Sequence, residues 1–502
     1  MTFNQDDIDL FSKASHDRNP LHISDDYARR TVFGERVVFG GLAALACLGR
    51  LSPGRSAPMS TLNCEFVSPV LIGVDYQVEI TRSDRHAHVL LRDGKRIVVR
   101  MSVTFQDSRH IDFAPTFDEP PTSEPTTRTF SELPIGFSVA GRWSPDRSGF
   151  VKLLERYELS SAGTADRQSA TLLWASYLVG MELPGKHALF SRLAVTFPSG
   201  GTTCDSAFDY SATVTSANPH FQLVTASATV RCGTQIVASV EIAAFVREAV
   251  SNSTLTEINA LCPSSSVLEG RVALVIGASR GLGAAIAQGL ALQGCTVVAN
   301  YARSGREAVE MRESLRDAPG SVLLEQGNAM DATWCAGLRD RLISKYGRLD
   351  YLITSASPPL LPLWVESEAV SRVVSHVADS LKLVLSPLAT CLEPLAKSKG
   401  THVLVSSSAV TKPVASWPHY VSAKCALEGL VAAASAEYPT VKFVVMRPPR
   451  LRTELTNTPL GRHGSLPAAL AASHLIAALL ADRNTSRGGV MYLDSFEAHS
   501  RS

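Results

Sequence analysis

Three side chains in the last third of this chain have types that suit acid/base chemistry. Tyr420-Val-Ser-Ala-Lys424 sets a phenol and an ammonium four residues apart, hence on one face of a helix. A phenol with a pKa of about 10 needs such a cation nearby to act as an acid or base near neutrality. Ser407 closes a strand-like run upstream and can bring a hydroxyl to the same place. Earlier still, Gly277-Ala-Ser-Arg-Gly281-Leu-Gly283 follows an apolar run and opens a helical stretch. Glycines allow a tight turn and close approach of a ligand, and the N–H groups of a helix start favour phosphate. A glycine triplet alone also serves ordinary turns; Ser407, Tyr420 and Lys424 give it context.

A second constellation stands near the N-terminus: Asp17-Arg-Asn19-Pro20-Leu-His22, then Tyr27-Ala28, then Phe39-Gly40-Gly41-Leu42. A carboxylate and an imidazole this close in sequence can serve as acid and base. Gly40, opening an apolar helix, can offer its N–H to an oxygen that gains negative charge. Taken singly, these residues have plainer uses. Asp, Asn and Pro build turns, Ser24 caps a short helix, and a lone histidine can be structural.

The elements that must position these groups fall into three segments. At 502 residues the chain exceeds one ordinary core. The first segment reads as a small-residue helix over 41–51 followed by strands near 60–66, 75–82, 86–91 and 96–105. The middle segment repeats that order, with a helix near 170–181 and strands near 188–197, 208–217, 221–232 and 234–246. The last alternates apolar strands with helices, the pattern of a parallel sheet covered on both faces. Tracts at 106–131, rich in Pro, Thr and Ser, and at 250–266, rich in Ser, Thr and Asn, read as linkers. The expected domains are 1–110, 128–250 and 267–502.

Composition limits the partners. Lys+Arg 48 against Asp+Glu 47 leaves a net charge of +1, so no broad field attracts nucleic acid or an anionic membrane. The nine cysteines form no C-x-x-C pair and no zinc spacing, so no disulfide framework and no metal is expected. No apolar run reaches about 18 residues, and the start is acidic; a membrane span and a signal peptide are unsupported. A soluble cytoplasmic protein is expected.

From about Arg271 onward the chain resembles the short-chain dehydrogenase/reductase family, through the glycine motif, Tyr420-x-x-x-Lys424, Ser407 and Tyr346-Gly-Arg-Leu-Asp350. The resemblance implies that Tyr420 passes a proton to the substrate oxygen, that Lys424 lowers the tyrosine pKa and holds the ribose, and that Ser407 bonds the carbonyl. It implies a cofactor set of Gly277, Ser279, Arg280, Gly281, Leu282, Gly283, Arg303, Asn328, Lys424 and Thr453. Ile276, Thr354-Ser-Ala-Ser357, Asp379 and Pro449 depart from the family pattern. Residues 1–105 resemble the MaoC-like (R)-specific enoyl hydratases of the hotdog fold, which implies catalytic Asp17 and His22, with Asn19 organising the loop and Gly40 binding the thioester oxygen. Phe39 replaces that family's histidine. The middle segment lacks the motif; its His187 and Asp166 read as exposed loop residues.

The combined expectation is an α+β double hotdog followed by an α/β doubly wound, Rossmann-type sheet. The function expected is a bifunctional enzyme that reduces 3-ketoacyl thioesters and dehydrates (R)-3-hydroxyacyl thioesters, or the reverse. The substrate would be carried by coenzyme A or acyl carrier protein, and a homo-oligomer is expected. A carrier-binding scaffold and a single-activity reductase with one inert site stay open. No acid stands about 20 residues past Gly277, where NAD-selective folds place one, whereas Arg280 and Arg303 can meet a 2′-phosphate. NADPH is therefore the expected cofactor.

Overall fold

The structure, a computed structural model, describes residues 1–51, 58–106, 124–159, 166–199, 207–248, 252–481 and 489–496. The chain divides into two compact units, Met1–Ala249 and Val250–Ser502.

The first unit is built on strands β1 (Met59–Phe66), β2 (Gln77–Arg82), β3 (His86–Asp93), β4 (Arg96–Phe105), β5 (Ser138–Trp143), β6 (Ala188–Thr196), β7 (Phe208–Asn218), β8 (Leu223–Cys232) and β9 (Gln235–Val246). They form one antiparallel sheet in the order β2-β3-β4-β1-β6-β9-β8-β7-β5. Alternation of apolar and polar residues, clearest in β3, turns one face inward. β1 and β6 meet at the centre with Leu62 opposite Val195, and the order outward from that seam is the same on both sides. β5 has no full counterpart in the first half; a single bridge between Thr2 and Asp75 stands beside β2 instead.

Two buried helices fill the concave side, Gly40–Gly49 and Asp166–Tyr177. The first is apolar all round, as a helix with no solvent face must be. The second carries polar side chains, among them Gln168, which accepts from Met59 N at 3.0 Å and donates to Met59 O at 2.7 Å. The helices approach closely because Gly41 has no side chain. A Cβ there would lie 3.0 Å from the Phe11 ring and 3.1 Å from Ser176 Cβ.

Of the two tracts read as linkers, 107–123 and 250–251 lie outside the described residues. The remainder is more ordered than its composition suggests. Thr126 N donates to Met181 O at 2.8 Å, and Phe130–Glu132 forms a capped helical turn. Leu255–Leu261 is a helix, capped by Thr254 and anchored by buried Ile258. β5 and the helix Arg147–Arg156 also lacked a clear sequence signal. Cys232 is disulfide-bonded, a bridge that the scattered cysteine spacing did not indicate.

The second unit has a sheet of seven parallel strands: β10 (Val272–Ile276), β11 (Thr296–Tyr301), β12 (Ser321–Gln326), β13 (Tyr351–Thr354), β14 (Thr401–Val405), β15 (Lys442–Met446) and, after the two-residue pair β16 (Leu451–Arg452) and β17 (Leu466–Pro467), β18 (Val490–Leu493). Their order, β12-β11-β10-β13-β14-β15-β18, reverses beside β10, the place where such sheets open a ligand crevice. β10 is buried along its whole length, as expected for a strand covered on both faces. Among the described residues no helix is long and apolar enough to cross a membrane.

Gly41→Leu should force the two buried helices of the first unit apart and lower its stability by about 1–3 kcal/mol. The check is a lowered first transition in calorimetry of the full chain, with the second unit's transition unmoved.

Candidate functional site

The N-terminal motif lies on one loop that leaves the helix Gln5–Ser15 through His16, whose φ of 59° ends the helix and redirects the chain. Ser12 Oγ donates to Asp17 O at 2.7 Å, and Asp17 N donates to Ser15 Oγ at 3.1 Å. The Asp17 carboxylate is only 2% exposed. It accepts from Asn19 N at 3.0 Å and from Ser176 Oγ at 2.8 Å. Burial raises its pKa to about 7; the bonds from Ser176 and Asn19 pull the other way and are too weak to win.

His22 turns Nδ1 to the carbonyl of Val37 at 2.7 Å. A carbonyl only accepts, so Nδ1 carries the proton and Nε2 keeps the lone pair. Burial, with a smaller contribution from Arg247, pushes the imidazole down to about 4 and leaves it neutral at pH 7. Its ring stacks on Phe39 at 4.0 Å between centroids, so the residue in place of a histidine packs against the imidazole. Gly40 follows at the first turn of the buried helix, where N–H groups have no acceptor within the helix. A Cβ on Gly40 would meet the Phe66 ring at 3.1 Å, and Phe66 packs on Phe190 at 4.9 Å.

The half without the motif supplies much of this site. Ser176 comes from its buried helix, and the following π-helical turn Leu178–Glu182 puts Gly180 against Asp17, where any Cβ would collide with the carboxylate. Asn19 Nδ2 donates to Gly180 O at 3.1 Å and Gly185 O at 3.2 Å, tying the loop to that half. Tyr27 donates to Lys186 O at 3.1 Å and lies 3.3 Å from His187 Nδ1. His187 is thus half-buried against the loop and is not the exposed residue expected; Asp166 begins the second buried helix. Ser176 and Gly180 lack a motif of their own, so only the packed helices reveal them.

In the second unit Ser407, Tyr420 and Lys424 converge beyond the carboxyl end of β14. Ser407 is near enough to the Tyr420 phenol to lower its pKa, and Lys424 Nζ lies 5.5 Å from the Tyr420 ring centroid and donates to Val405 O at 2.8 Å. Burial raises the phenol, opposed by Ser407, and lowers the ammonium to about 8, opposed by Glu428. Glu428 lies one turn below Lys424, held by Arg447 at 2.6 and 3.0 Å and by Ser406 at 2.5 Å.

The glycine motif forms a cradle. Gly277 has φ +80°, and a Cβ there would sit 2.9 Å from Ala356 Cα. A Cβ on Gly283 would collide with Gly277 O. The helix Gly281–Leu292 has no side-chain cap at its start. Ser279 and Leu282 are buried beside it, and Thr453 lies 3.5 Å from where a Gly281 side chain would begin. Asn328 accepts from Met330 N at 3.1 Å in the turn after β12. Arg303 is exposed at the end of β11, whereas Arg280 is ion-paired with Glu454. Gly281 N–H donates to Asn252 Oδ1 at 2.9 Å, a contact without a sequence signal.

Residues 1–103 match the MaoC like domain and residues 271–460 the short chain dehydrogenase family. The chain therefore carries a MaoC-like domain and a short-chain dehydrogenase domain. Within the second, 91 residues, 18% of this chain, are 42% identical to 37% of an uncharacterized oxidoreductase of Methylorubrum extorquens. Near the N-terminus 83 residues, 16% of this chain, are 39% identical to 58% of the (R)-specific enoyl-CoA hydratase of Rhodospirillum rubrum. The chain thus spans less than two thirds of either relative. Among solved structures, a short chain dehydrogenase from Burkholderia cenocepacia in complex with NADP aligns over 45% of this chain and 98% of its own, at 22% identity and a TM-score of 0.41.

Asp17 holds its proton more tightly when folded than when unfolded, so its stabilising share is full below the ordinary carboxylate pKa and is lost as pH rises through about 7. Asp17→Asn keeps an acceptor for Asn19 N–H and removes the charge. Relative to the parent it should gain melting temperature between pH 4 and pH 8; an equal difference at both values would contradict a buried, perturbed carboxyl.

Proposed function

We propose that the chain is a bifunctional acyl-thioester enzyme with a dehydratase/hydratase site at Asp17 and His22 and a ketoreductase site at Ser407, Tyr420 and Lys424. The observation that carries this reading is that each set is complete and perturbed by its own surroundings: a carboxyl raised to about 7 on the same buried loop as an imidazole lowered to about 4, and a neighbouring Ser and Tyr beside a buried lysine. The domains would be 1–110, 128–250 and 267–502, the first two forming a double hotdog whose motif-less half completes the catalytic one.

At the reductase site, Tyr420 gives its proton to the substrate's carbonyl oxygen while Ser407 holds that oxygen by a hydrogen bond. Lys424 stays a cation near neutrality, close enough to stabilise the phenolate that remains. A bound nicotinamide dinucleotide supplies the hydride. The glycine cradle suits its pyrophosphate once Asn252 releases the Gly281 N–H, and Gly277, Ser279, Arg280, Gly281, Leu282, Gly283, Asn328, Lys424 and Thr453 would hold the dinucleotide. NADPH fits best, because no acid stands at the end of β11 and exposed Arg303 is available for a 2′-phosphate; Arg280 would first have to leave Glu454.

At the dehydratase site, His22 Nε2 takes the α-proton of the 3-hydroxyacyl thioester, and protonated Asp17 gives its proton to the departing hydroxyl, releasing water and the 2-enoyl thioester. The N–H of Gly40 stabilises the enolate oxygen in between. The same groups run hydration in reverse. The reactive form needs Asp17 protonated and His22 neutral, so the rate should be bell-shaped in pH, with limbs near about 4 and 7.

The deciding experiment supplies the full chain with 3-ketoacyl and 2-enoyl thioesters and NADPH, following absorbance and product mass. Asp17→Asn should lose hydration by about a hundredfold or more and keep reduction; Tyr420→Phe should do the opposite. Loss of both activities in one folded variant contradicts two independent sites. Arg303→Ala should raise the KM for NADPH far more than for NADH, and equal or better use of NADH by the parent refutes the cofactor choice.

A further inference from the structure

Arg247 is a buried charged group beside the Asp17/His22 loop that the proposed chemistry leaves unused. It follows β9 and is 5% exposed. Among the described residues no carboxylate pairs with it. Its side-chain bonds go to neutral oxygens, Tyr27 Oη at 3.3 Å and Lys186 O at 3.4 Å, both long. Its guanidinium carbon lies 5.6 Å from the Tyr27 ring centroid. Its Nε is buried without any hydrogen-bond partner.

The surroundings add positive charge and no acid. Lys186 Nζ lies 5.8 Å from the same ring, and Arg247 depresses the imidazoles of both His22 and His187. The acids on the neighbouring turn, Asp25 and Asp26, are exposed and already paired with Arg36, Arg29 and Arg30. Asn19, whose N–H binds Asp17, also reaches Lys186 O at 3.5 Å, so Arg247 and the acid/base loop share one carbonyl. A guanidinium out of water with no anion is costly, and a bound anion would offset that cost.

We infer that Arg247, with the hydroxyl of Tyr27 turned from Lys186 O, forms a carboxylate-binding subsite on the His22 side of the acid/base loop, so that the acyl group handled there carries its own carboxylate. This rests on the thioester reading and narrows its substrate class. A guanidinium fork matches one carboxylate with two parallel bonds. Phosphates of a carrier arm are strongly hydrated and suit an exposed basic surface better than a single buried arginine.

The test uses the full chain, its Arg247→Met, Arg247→Lys and Tyr27→Phe variants, and pairs of 2-enoyl thioesters of equal length ending in a carboxylate or an uncharged amide. Each acyl group is presented on coenzyme A and on N-acetylcysteamine, which lacks phosphate. The parent should prefer the carboxylate by roughly tenfold or more in kcat/KM on both carriers. Arg247→Met should erase that preference, Arg247→Lys keep part of it, and Tyr27→Phe weaken it. If Arg247→Met instead penalises only coenzyme A thioesters whatever the acyl charge, the anion is the carrier's phosphate and the inference falls. A drop in melting temperature with selectivity unchanged also overturns it, by making Arg247 a structural cation. Melting shifts with glutarate against glutaramide read the subsite without turnover. Arg247-dependent stabilisation by glutarate, in a parent that hydrates nothing, keeps the subsite and refutes the thioester chemistry; no such stabilisation and no charge preference refute the subsite.

Discussion

Much of the first unit depends on keeping one carboxylate away from water. Asp17 sits where a helix of one half and a loop of the other close over it, and Gly180 is the only residue type that leaves room for its oxygens. Two hydrogen bonds, from Asn19 N and Ser176 Oγ, orient the group without compensating its charge. Had a cation been placed beside it, the carboxyl would titrate low and could not hold a proton at neutral pH. Neutral donors and burial instead bring it into the range where proton transfer in either direction is possible.

The same desolvation acts with the opposite sign on cations, and its outcome depends on what lies within one helical turn. Lys424 loses basicity by burial, yet Glu428 stands four residues on and, held by Arg447 and Ser406, keeps it a cation near pH 7. His22 has no such acid and is left neutral, with its one committed nitrogen bound to the Val37 carbonyl. Arg247 is the extreme case, a buried cation that cannot lose its proton in the accessible range and so retains its charge with only neutral oxygens bound to it among the described residues.

The repeated strand order of the first unit explains how a half without a motif can still belong to the site. Joining two similar sheets at β1 and β6 puts their central helices side by side, and Gly41 lets them touch. Residues at the end of the second helix then face the loop of the first half. Gly180, Gly185 and Lys186 contribute carbonyl oxygens rather than side-chain chemistry, so their contribution is independent of a conserved-looking string of polar residues.

By itself the amino-acid order determined most of the element sequence of both units, the Gly277–Gly283 cradle, and the pairs Asp17/His22 and Tyr420/Lys424. All of these rest on local spacing: period two in strands, four-residue spacing on a helix face, and glycine where the chain turns or is approached. The strand Ser138–Trp143 and the helix Leu255–Leu261 were not legible, because their stability comes from packing at a sheet edge and on one buried isoleucine rather than from a strong local pattern. Tertiary structure alone decided that Ser176 donates to Asp17, that His187 lies against Tyr27, that Arg280 is held by Glu454, and that Arg247 is buried without an acid. Each of these joins residues far apart in the chain, and hydrogen bonding and desolvation depend on distance in space, which sequence separation does not encode.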